Sequence, residues 1–244
     1  MPEALTPQVD LIVLAGGRGS RLGGAVKAAV DVAGRTLLSR VLDARTLARR
    51  VVVVGPASAR VAAGPEAAGV LWALEDPPFG GPVAGIAAGL AALAAPSPAT
   101  SAGAPADAPA EWLLVLACDL PWAADAAGTL VAALADQALA DRAGRNTTGT
   151  DALDGLHLSD PDGHPQWLAG LYRASTLRDA AARLGPAANG ASMRALLSGL
   201  RLVGVRDDSG SSRDVDTWQD VEWSTALLSG PSPVSTTPPR SDTP

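Results

Sequence analysis

Glycines and basic side chains are concentrated in residues 14–27, which read LAGGRGSRLGGAVK. Five glycines within nine residues let the backbone approach a ligand closely and expose N–H groups that bind anions. Arg18, Arg21 and Lys27 add fixed positive charge to the same segment. The apolar run at 9–15 that leads into it is typical of a buried parallel strand. The spacing therefore predicts a strand followed by a loop that binds a triphosphate.

Two better-known glycine loops do not fit this segment. The P-loop pattern requires a lysine directly after its last glycine, and no lysine directly follows Gly24. The dinucleotide fingerprint GxGxxG requires a third glycine at the position where this chain has Leu22. An ordinary glycine-rich turn with solvated arginines remains as the non-functional interpretation. That interpretation explains a single glycine pair more easily than it explains the whole string.

Acidic residues follow predicted elements at two other places. Asp119 comes directly after the apolar run at 112–117, and in open α/β sheets ligands bind beyond the carboxyl ends of the strands. Mg²⁺ prefers oxygen ligands and substrate phosphates, so Asp119 is a candidate metal ligand. Asp214 and Asp216 lie two residues apart, and on an extended segment they would share one face. We favour Asp216 as the second ligand, while N-capping of the last helix by Asp216 or Thr217 is the alternative role.

The remaining pattern alternates strands and helices, with segment 141–166 expected to form loops and an irregular strand. We expect a flexible insert at 96–110 and a disordered tail at 229–244. The alternation predicts an α/β protein with a three-layer α/β/α sandwich and a mainly parallel sheet, in a single domain over residues 1–228. Strands are predicted at 9–15, 50–55, 70–74, 112–117, 167–172 and 201–206, and helices at 36–48, 82–95, 123–139, 174–184, 191–199 and 217–228.

Composition excludes several classes of protein. The chain has 244 residues and a formal net charge of −6, which disfavours binding to nucleic acid. Its one cysteine, Cys118, permits no disulfide within the chain, as expected for a cytoplasmic protein. The N-terminus lacks the features of a signal peptide. The uncharged stretch at 77–106 is interrupted by prolines, and its run at 83–95 is too short to span a membrane.

The glycine-rich string, together with LACDLP at 116–121, resembles the signature of the molybdenum cofactor guanylyltransferases. These belong to a wider group of nucleotidyltransferases with the nucleotide-diphospho-sugar transferase fold. The resemblance implies that Asp119 holds Mg²⁺ and also contacts the nucleotide. It implies that Lys27 and Arg21 are catalytic and stabilise charge on the phosphates. It also implies that the glycine loop wraps the triphosphate, through Leu14, Ala15, Gly16, Gly17, Arg18, Gly19 and Ser20.

Segment 75–86 resembles the family's GPLAG segment, which borders the nucleotide pocket. The resemblance adds Gly81 to the nucleotide-binding residues. An acidic side chain just ahead of this segment can accept hydrogen bonds from the N1–H and the exocyclic amine of guanine. Glu75 and Asp76 are both candidates for that role, and a solvated loop carboxylate is the alternative for each.

Two later segments resemble the family more weakly. Residues 164–172 are similar to the strand after the acceptor-side loop, where Gln166 or Trp167 would line the acceptor pocket unless they serve ordinary strand packing. Residues 214–220 resemble the family's DIDTPEDL element. We assign no catalytic role to His157 or His164.

The function that the resemblance implies is transfer of GMP from GTP to molybdopterin carrying molybdenum, with release of pyrophosphate. GTP and a molybdopterin-type acceptor are the expected partners, with molybdoenzyme maturation proteins as further candidates. The form LAGG indicates the guanylyl branch, because cytidylyl relatives usually read LAAG. A cytidylyltransferase, or a transferase for another phosphorylated acceptor, is the nearest alternative. An inactive nucleotide-binding partner protein is the alternative of another class, and Val26, where many members have Asp, is its first sign.

Overall fold

The computed structural model describes residues 7–16, 22–95, 110–142 and 153–230. The expected insert at 96–110 and the expected tail at 229–244 fall almost entirely outside these ranges. The described residues form nine strands, seven of which make one central sheet in the order β5-β4-β1-β6-β8-β7-β9. The strands are β1 Val9–Leu14, β2 Asp31–Val32, β3 Arg35–Thr36, β4 Val51–Val54, β5 Leu71–Ala73, β6 Trp112–Ala117, β7 Gly155–Ser159, β8 Pro165–Arg173 and β9 Leu202–Arg206.

The sheet is mostly parallel, because β5, β4, β1 and β6 run in one direction and β7 and β9 pair in parallel. The exception is β8, which is antiparallel to both of its neighbours. In β1 the register places Leu14 opposite Ala117 at the end of β6. The carboxyl ends of these two strands therefore lie side by side, which brings the glycine loop and Asp119 to the same edge.

Helices cover both faces of the sheet, which confirms the predicted three-layer architecture. Alternate residues of β1 point to opposite faces: Leu11 and Val13 pack into one core and Ile12 and Leu14 into the other. The first core includes residues of α1, α2 and α4, and the second includes residues of α3, α5 and α6. The helices are α1 Leu37–Val41, α2 Ala57–Ala63, α3 Gly81–Ala94, α4 Ala123–Arg142, α5 Ala174–Leu184, α6 Met193–Leu197 and α7 Trp218–Leu228.

Some elements differ from the sequence-based expectation. The helix expected at 36–48 is α1 followed by a 3₁₀ helix at Leu42–Leu47, and segment 141–166 contains the regular strand β7. The hairpin of β2 and β3 was not expected, because each strand has only two residues and shows no alternation to detect. Its turn is made by Ala33 and Gly34, both with positive φ. No helix in the described parts of the chain combines the length and apolarity needed to cross a membrane.

A third, smaller core lies apart from the sheet. It contains Leu22, Val30, Val32, Leu37, Val215 and Val221, and we call it the satellite core. Its members come from the end of the glycine loop, the β2–β3 hairpin, α1, the segment before α7, and α7 itself. The satellite core therefore joins the N-terminal loop to residues near position 215, across almost 200 residues of sequence.

Candidate active site

A cleft of about 370 Å³ opens at the carboxyl ends of β1 and β6. That volume lies within the range of small-molecule binding sites. The lining combines apolar strand and helix residues with two carboxylates and several glycines. It comprises Leu14, Gly16, Val54, Glu75, Phe79, Gly81, Pro82, Gly85, Ala117, Cys118, Asp119 and Leu168.

Three carboxylates meet at one end of this cleft. Oxygens of Asp119, Asp214 and Asp216 all lie within 4.8 Å of one another, and we call these residues the acidic cluster. The N–H of Val215 donates to the carbonyl of Asp119 at 2.9 Å, which fixes the later segment against the end of β6. Val215 is fully buried in the satellite core. The structure thus brings both Asp214 and Asp216 to Asp119, although sequence reasoning favoured Asp216 over Asp214.

Lys27 bridges two members of the acidic cluster. Its Nζ donates to Asp119 Oδ2 at 2.8 Å and also to Asp216 Oδ1. Burial alone would lower the pKa of Lys27, but the charge of Asp119 and the hydrogen bonds to both carboxylates outweigh burial and raise it. The ammonium group therefore stays protonated through the neutral range and offsets part of the negative charge.

Lys27 is the only lysine in the sequence. The chain has eighteen arginines besides it. A general need for positive charge is met by arginine everywhere else in the sequence. An ammonium is a compact point charge with three rotatable donors, whereas a guanidinium is a planar fork with fixed donor directions. The residue type therefore points to a specific local role.

The acidic cluster carries unbalanced negative charge even with Lys27 in place. Burial raises the pKa of Asp214, and the charges of Asp119 and Asp216 raise it further. Closely spaced carboxylate oxygens are the ligands that a hard divalent cation such as Mg²⁺ prefers. The three residues therefore fit a divalent cation, with Asp119 and Asp216 as the ligands expected from sequence and Asp214 as a third candidate.

The contacts at α7 show which residue caps this helix. Thr217 caps the helix, because its Oγ1 accepts from the N–H of Asp220 and the Asp220 carboxylate accepts from the N–H of Thr217. Asp216 lies one residue earlier, and its carboxylate faces Lys27. The capping role therefore falls to Thr217, and Asp216 is left for the site.

A buried carboxylate that sequence reasoning missed supports the segment before the cluster. Asp207 is only 2% exposed and accepts hydrogen bonds from the hydroxyls of Ser209, Ser211 and Ser212 and from the N–H groups of Ser211 and Ser212. Burial alone would raise the pKa of Asp207, but these hydrogen bonds outweigh burial and lower it. The run DDSGSS at 207–212 is the available signal, because Asp followed by Ser and Gly favours side-chain-to-backbone turns.

The cleft lining also contains one of the two candidate base-binding residues. Glu75 is buried, and its Oε1 accepts from the N–H of Phe79 at 3.2 Å. A Cβ added to Gly16 would lie 3.5 Å from the same oxygen, so the two walls approach closely here. Asp76 is exposed and is not among the lining residues. Gly81 lines the cleft at the N-terminus of α3. Of the two acidic candidates, the structure places Glu75 in the cleft.

The other predicted site residues are distributed as follows. Leu14 lines the cleft, and Ala15 is buried beside it with its N–H bonded to the carbonyl of Val54. Burial, and then the Asp119 charge, raises the pKa of the Cys118 thiol, as expected for a buried strand residue rather than a nucleophile. Five expected phosphate contacts lie outside the described residues: Gly17, Arg18, Gly19, Ser20 and Arg21.

Gln166 and Trp167, the two candidates for the acceptor pocket, are not among the residues that line the cleft. Gln166 reaches Asp160 on the turn between β7 and β8, and the carbonyl of Trp167 accepts from the hydroxyl of Tyr172. Asp160, Asp162 and His164 form a second acidic group on that turn. Asp160 accepts from the N–H of His164, and this hydrogen bond stabilises the turn. The side chains of Asp162 and His164 are exposed.

Comparison with known proteins identifies the family of the chain. Residues 11–204 match the family model described as MobA-like NTP transferase domain. Asp214 and Asp216 lie beyond the matched range, so the family match does not bear on them. No curated protein matches the chain in sequence.

Solved structures with similar folds include several proteins named as nucleotide-handling biosynthetic enzymes. Molybdopterin-guanine dinucleotide biosynthesis protein A from Archaeoglobus fulgidus aligns with a TM-score of 0.58 and 18% identity, covering 90% of this chain and 98% of that one. The 4-diphosphocytidyl-2C-methyl-D-erythritol synthase from Anaerococcus prevotii gives 0.59 and 12%, covering 92% and 97%. The 2-C-methyl-D-erythritol 4-phosphate cytidylyltransferase from Thermus thermophilus gives 0.56 and 18%, covering 90% and 98%. At these identities the likeness concerns the fold.

Proposed function

This chain belongs to the family of MobA-like NTP transferase domains, and we propose that it transfers GMP from GTP to molybdenum-bearing molybdopterin with release of pyrophosphate. The observation that carries the proposal is the contact of Lys27 with Asp119 and Asp216 beside a cleft that also contains Glu75. A cation and a group of carboxylates at the carboxyl ends of parallel strands suit the binding of a metal-bound triphosphate.

The proposed reaction is a displacement at the α-phosphorus of the nucleotide. An oxygen of the acceptor phosphate forms the new P–O bond, and the bond to the β-phosphate breaks to release pyrophosphate. No general base is needed, because a phosphate nucleophile is already ionised. The chain therefore acts mainly by positioning the reactants and by stabilising charge.

The charged residues have two roles in this mechanism: the carboxylates would hold the metal, and the basic residues stabilise charge on the phosphates. Asp119 and Asp216, with Asp214 beside them, would hold Mg²⁺, which when bound supplies a Lewis acid for the phosphate oxygens. Lys27, kept protonated by its carboxylate partners, stabilises negative charge on the transferring phosphate and on the leaving pyrophosphate. We retain Arg21 as a second phosphate contact on the basis of its place in the glycine loop.

Selection of guanine is proposed for Glu75. An ionised carboxylate is purely an acceptor, and guanine presents two adjacent donors, its N1–H and its exocyclic amine. Adenine lacks the N1–H donor, so the same carboxylate would bind it less well. The cytidylyltransferases among the similar folds make CTP the specific competitor to test.

Calorimetric titration with GTP, ATP, CTP and UTP, each with Mg²⁺, tests the proposal. We expect selective binding of GTP, followed by release of pyrophosphate when molybdopterin is supplied. Asp119→Asn should abolish the metal-dependent part of binding, because it removes a ligand charge. Asp162→Asn is the matched control: it makes the same substitution in the exposed second acidic group and should bind GTP like the wild-type protein.

The other outcomes distinguish the alternatives. Selective binding of CTP would replace the guanylyl assignment with a cytidylyl one. GTP binding without release of pyrophosphate from GTP when molybdopterin is supplied would point to a different phosphorylated acceptor. Nucleotide binding with no pyrophosphate release from any phosphorylated acceptor tested would favour the inactive nucleotide-binding partner protein. Failure to bind any nucleoside triphosphate would contradict both that alternative and the proposed function.

A further inference from the structure

The one phenylalanine of the chain lies at the cleft rather than in a core. Phe79 lines the cleft and exposes 64% of its surface. Large aromatic side chains usually contribute their area to a buried core, so an exposed ring in a concave site is informative. Phe79 also follows Glu75 by four residues, and its N–H donates to the Glu75 carboxylate. The ring and the carboxylate therefore belong to one hydrogen-bonded loop at the same wall.

The backbone at Phe79 adopts a conformation that its residue type disfavours. Its φ is +67°, in the left-handed region where residues other than glycine, asparagine and aspartate are uncommon. A residue held there costs free energy and persists only where its surroundings impose it, often at ligand sites. Glycine or asparagine would satisfy this backbone with less strain. Phenylalanine at this position therefore indicates a use for the ring that offsets its conformational cost.

The surroundings that impose this conformation are tight. A Cβ added to Gly80 would lie 2.7 Å from both Ala84 Cβ and Asn189 Oδ1, so the chain beyond Phe79 is packed between α3 and the segment near 189. The carbonyl of Gly80 also accepts from the N–H of Gly190 at 2.7 Å. The loop is thus held on its far side, and Phe79 is presented towards the cleft as a preorganised side chain.

From these observations we infer that Phe79 stacks on the face of the nucleobase and gives the site its preference for purines. This inference rests on the proposed nucleotide site and names the residue that selects the class of base. Glu75 accepts hydrogen bonds from the donors on the edge of the base, while Phe79 contacts the face of the base. Purines present a larger π surface than pyrimidines and stack more strongly on an aromatic ring. The two residues therefore divide the selection: Phe79 separates purines from pyrimidines, and Glu75 separates guanine from adenine.

Substitution at Phe79 tests the role of the ring separately from that of the backbone. Phe79→Asn removes the ring and favours the left-handed conformation, so the loop should keep its shape, and Phe79→Gly provides a second variant of the same kind. Phe79→Tyr retains the ring. Val61→Asn is the control for loss of an exposed apolar side chain, because Val61 is 83% exposed on α2 and is absent from the cleft lining.

Each variant is titrated with GTP, ATP, CTP, UTP and inorganic tripolyphosphate in the presence of Mg²⁺. Phe79→Asn should weaken binding of GTP and ATP by about 5- to 150-fold, the range measured when stacking on an aromatic ring is lost. Binding of CTP and UTP should weaken less, and binding of tripolyphosphate should not change. Phe79→Tyr should keep the preference for purine over pyrimidine nucleotides, because it retains the ring. Val61→Asn should bind all the ligands like the wild-type protein.

Three results would overturn the inference. Unchanged GTP binding in Phe79→Asn would exclude stacking, and an equal loss of tripolyphosphate binding would show that Phe79 shapes the phosphate site instead. A wild-type protein that binds pyrimidine nucleotides at least as tightly as purine nucleotides would also overturn it, while leaving a nucleotidyltransferase in place. A wild-type protein that binds no nucleotide would instead contradict the proposed function itself.

Discussion

The two halves of the acidic cluster are supported in different ways. Asp119 follows β6, a strand hydrogen-bonded to β1 on one side and β8 on the other, whose residues 113–116 are almost fully buried. Asp214 and Asp216 lie on the irregular segment before α7, which is anchored by the small satellite core and by the turn around Asp207. Lys27 begins the 3₁₀ helix Lys27–Ala29 and contacts one carboxylate of each half. Direct links between the halves include the Val215–Asp119 backbone hydrogen bond and the contacts of Lys27.

The central sheet therefore stabilises the fold, whereas the satellite core brings the carboxylates of the acidic cluster together. The seven-stranded sheet would fix Asp119 whether or not the later segment were docked. The distances between Asp119, Asp214 and Asp216 depend instead on a satellite core of six buried residues. Local stability varies across proteins with the density of buried contacts, so the loop-borne half should be the less stable one. Substitutions in the two halves should consequently separate stability from activity.

The largest expected effect is the loss of turnover in Lys27→Ala, which removes the charged link between the halves. We expect kcat to fall by about 10²- to 10³-fold, the usual cost of losing one preorganised group that stabilises transition-state charge. The sheet does not depend on this side chain, so the melting temperature should change little. Steady-state kinetics and thermal unfolding of the same preparations provide the measurement.

Lys27→Arg sharpens that test. A guanidinium keeps the charge but not the compact shape, so recovery of turnover should be incomplete. Wild-type turnover in Lys27→Ala would exclude a catalytic role for the residue. A loss of turnover that merely follows a loss of folded protein would place Lys27 among the structural residues.

The sequence was sufficient to predict the strand-held half of the site. Buried parallel strands leave continuous apolar runs such as 9–15 and 112–117, and the residues that follow them lie at one edge of the sheet. Asp119 is predicted from its place after the run at 112–117. The role of Lys27 is implied by the family resemblance, and Asp216 is favoured from its spacing and its place before the last helix. The hydrogen-bonded contact between Lys27 and the two carboxylates was not predicted, because no local pattern encodes a distance between residues 27 and 216.

The loop-held half was harder to predict for a physical reason. The satellite core is assembled from residues 22, 30, 32, 37, 215 and 221, which are contributed by segments far apart in the sequence. No window of sequence displays their periodicity. Asp207 resembles a solvated loop carboxylate until the three serines are seen to enclose it. The choice between Glu75 and Asp76 was likewise decided by burial, which two adjacent carboxylates in a loop do not reveal.

The next prediction compares a leucine-to-alanine substitution in each half. Leu114 in β6 and Leu22 in the satellite core are both buried, and replacing either by alanine should cost about 2–5 kcal/mol of unfolding free energy. In Leu114→Ala the Mg²⁺ concentration for half-maximal turnover should stay near the wild-type value, because β6 remains paired on both sides. In Leu22→Ala that concentration should rise several-fold, because the docking of Asp214 and Asp216 is loosened. Equal metal requirements in the two variants would contradict the separation of the halves.

The smallest effect concerns Asp207 and depends on pH. Replacing Asp207 by Asn weakens several charge-assisted hydrogen bonds and should lower the unfolding free energy by about 2 kcal/mol at neutral pH. The hydrogen bonds hold the folded-state pKa of Asp207 below its ordinary value of 3.8, so the contribution of the carboxylate is complete above that pH. It is lost as the pH falls through the folded-state pKa, and the difference between Asp207→Asn and the wild-type protein should shrink in acid.

Asp208→Asn is the matched control. The carboxylate of Asp208 is next to Asp207 in the sequence but is exposed, so this substitution should change stability little at any pH. A difference that stays constant from pH 7 to acid would mean that the shape of Asp207, rather than its charge, holds the turn that delivers Asp214 and Asp216 to Asp119.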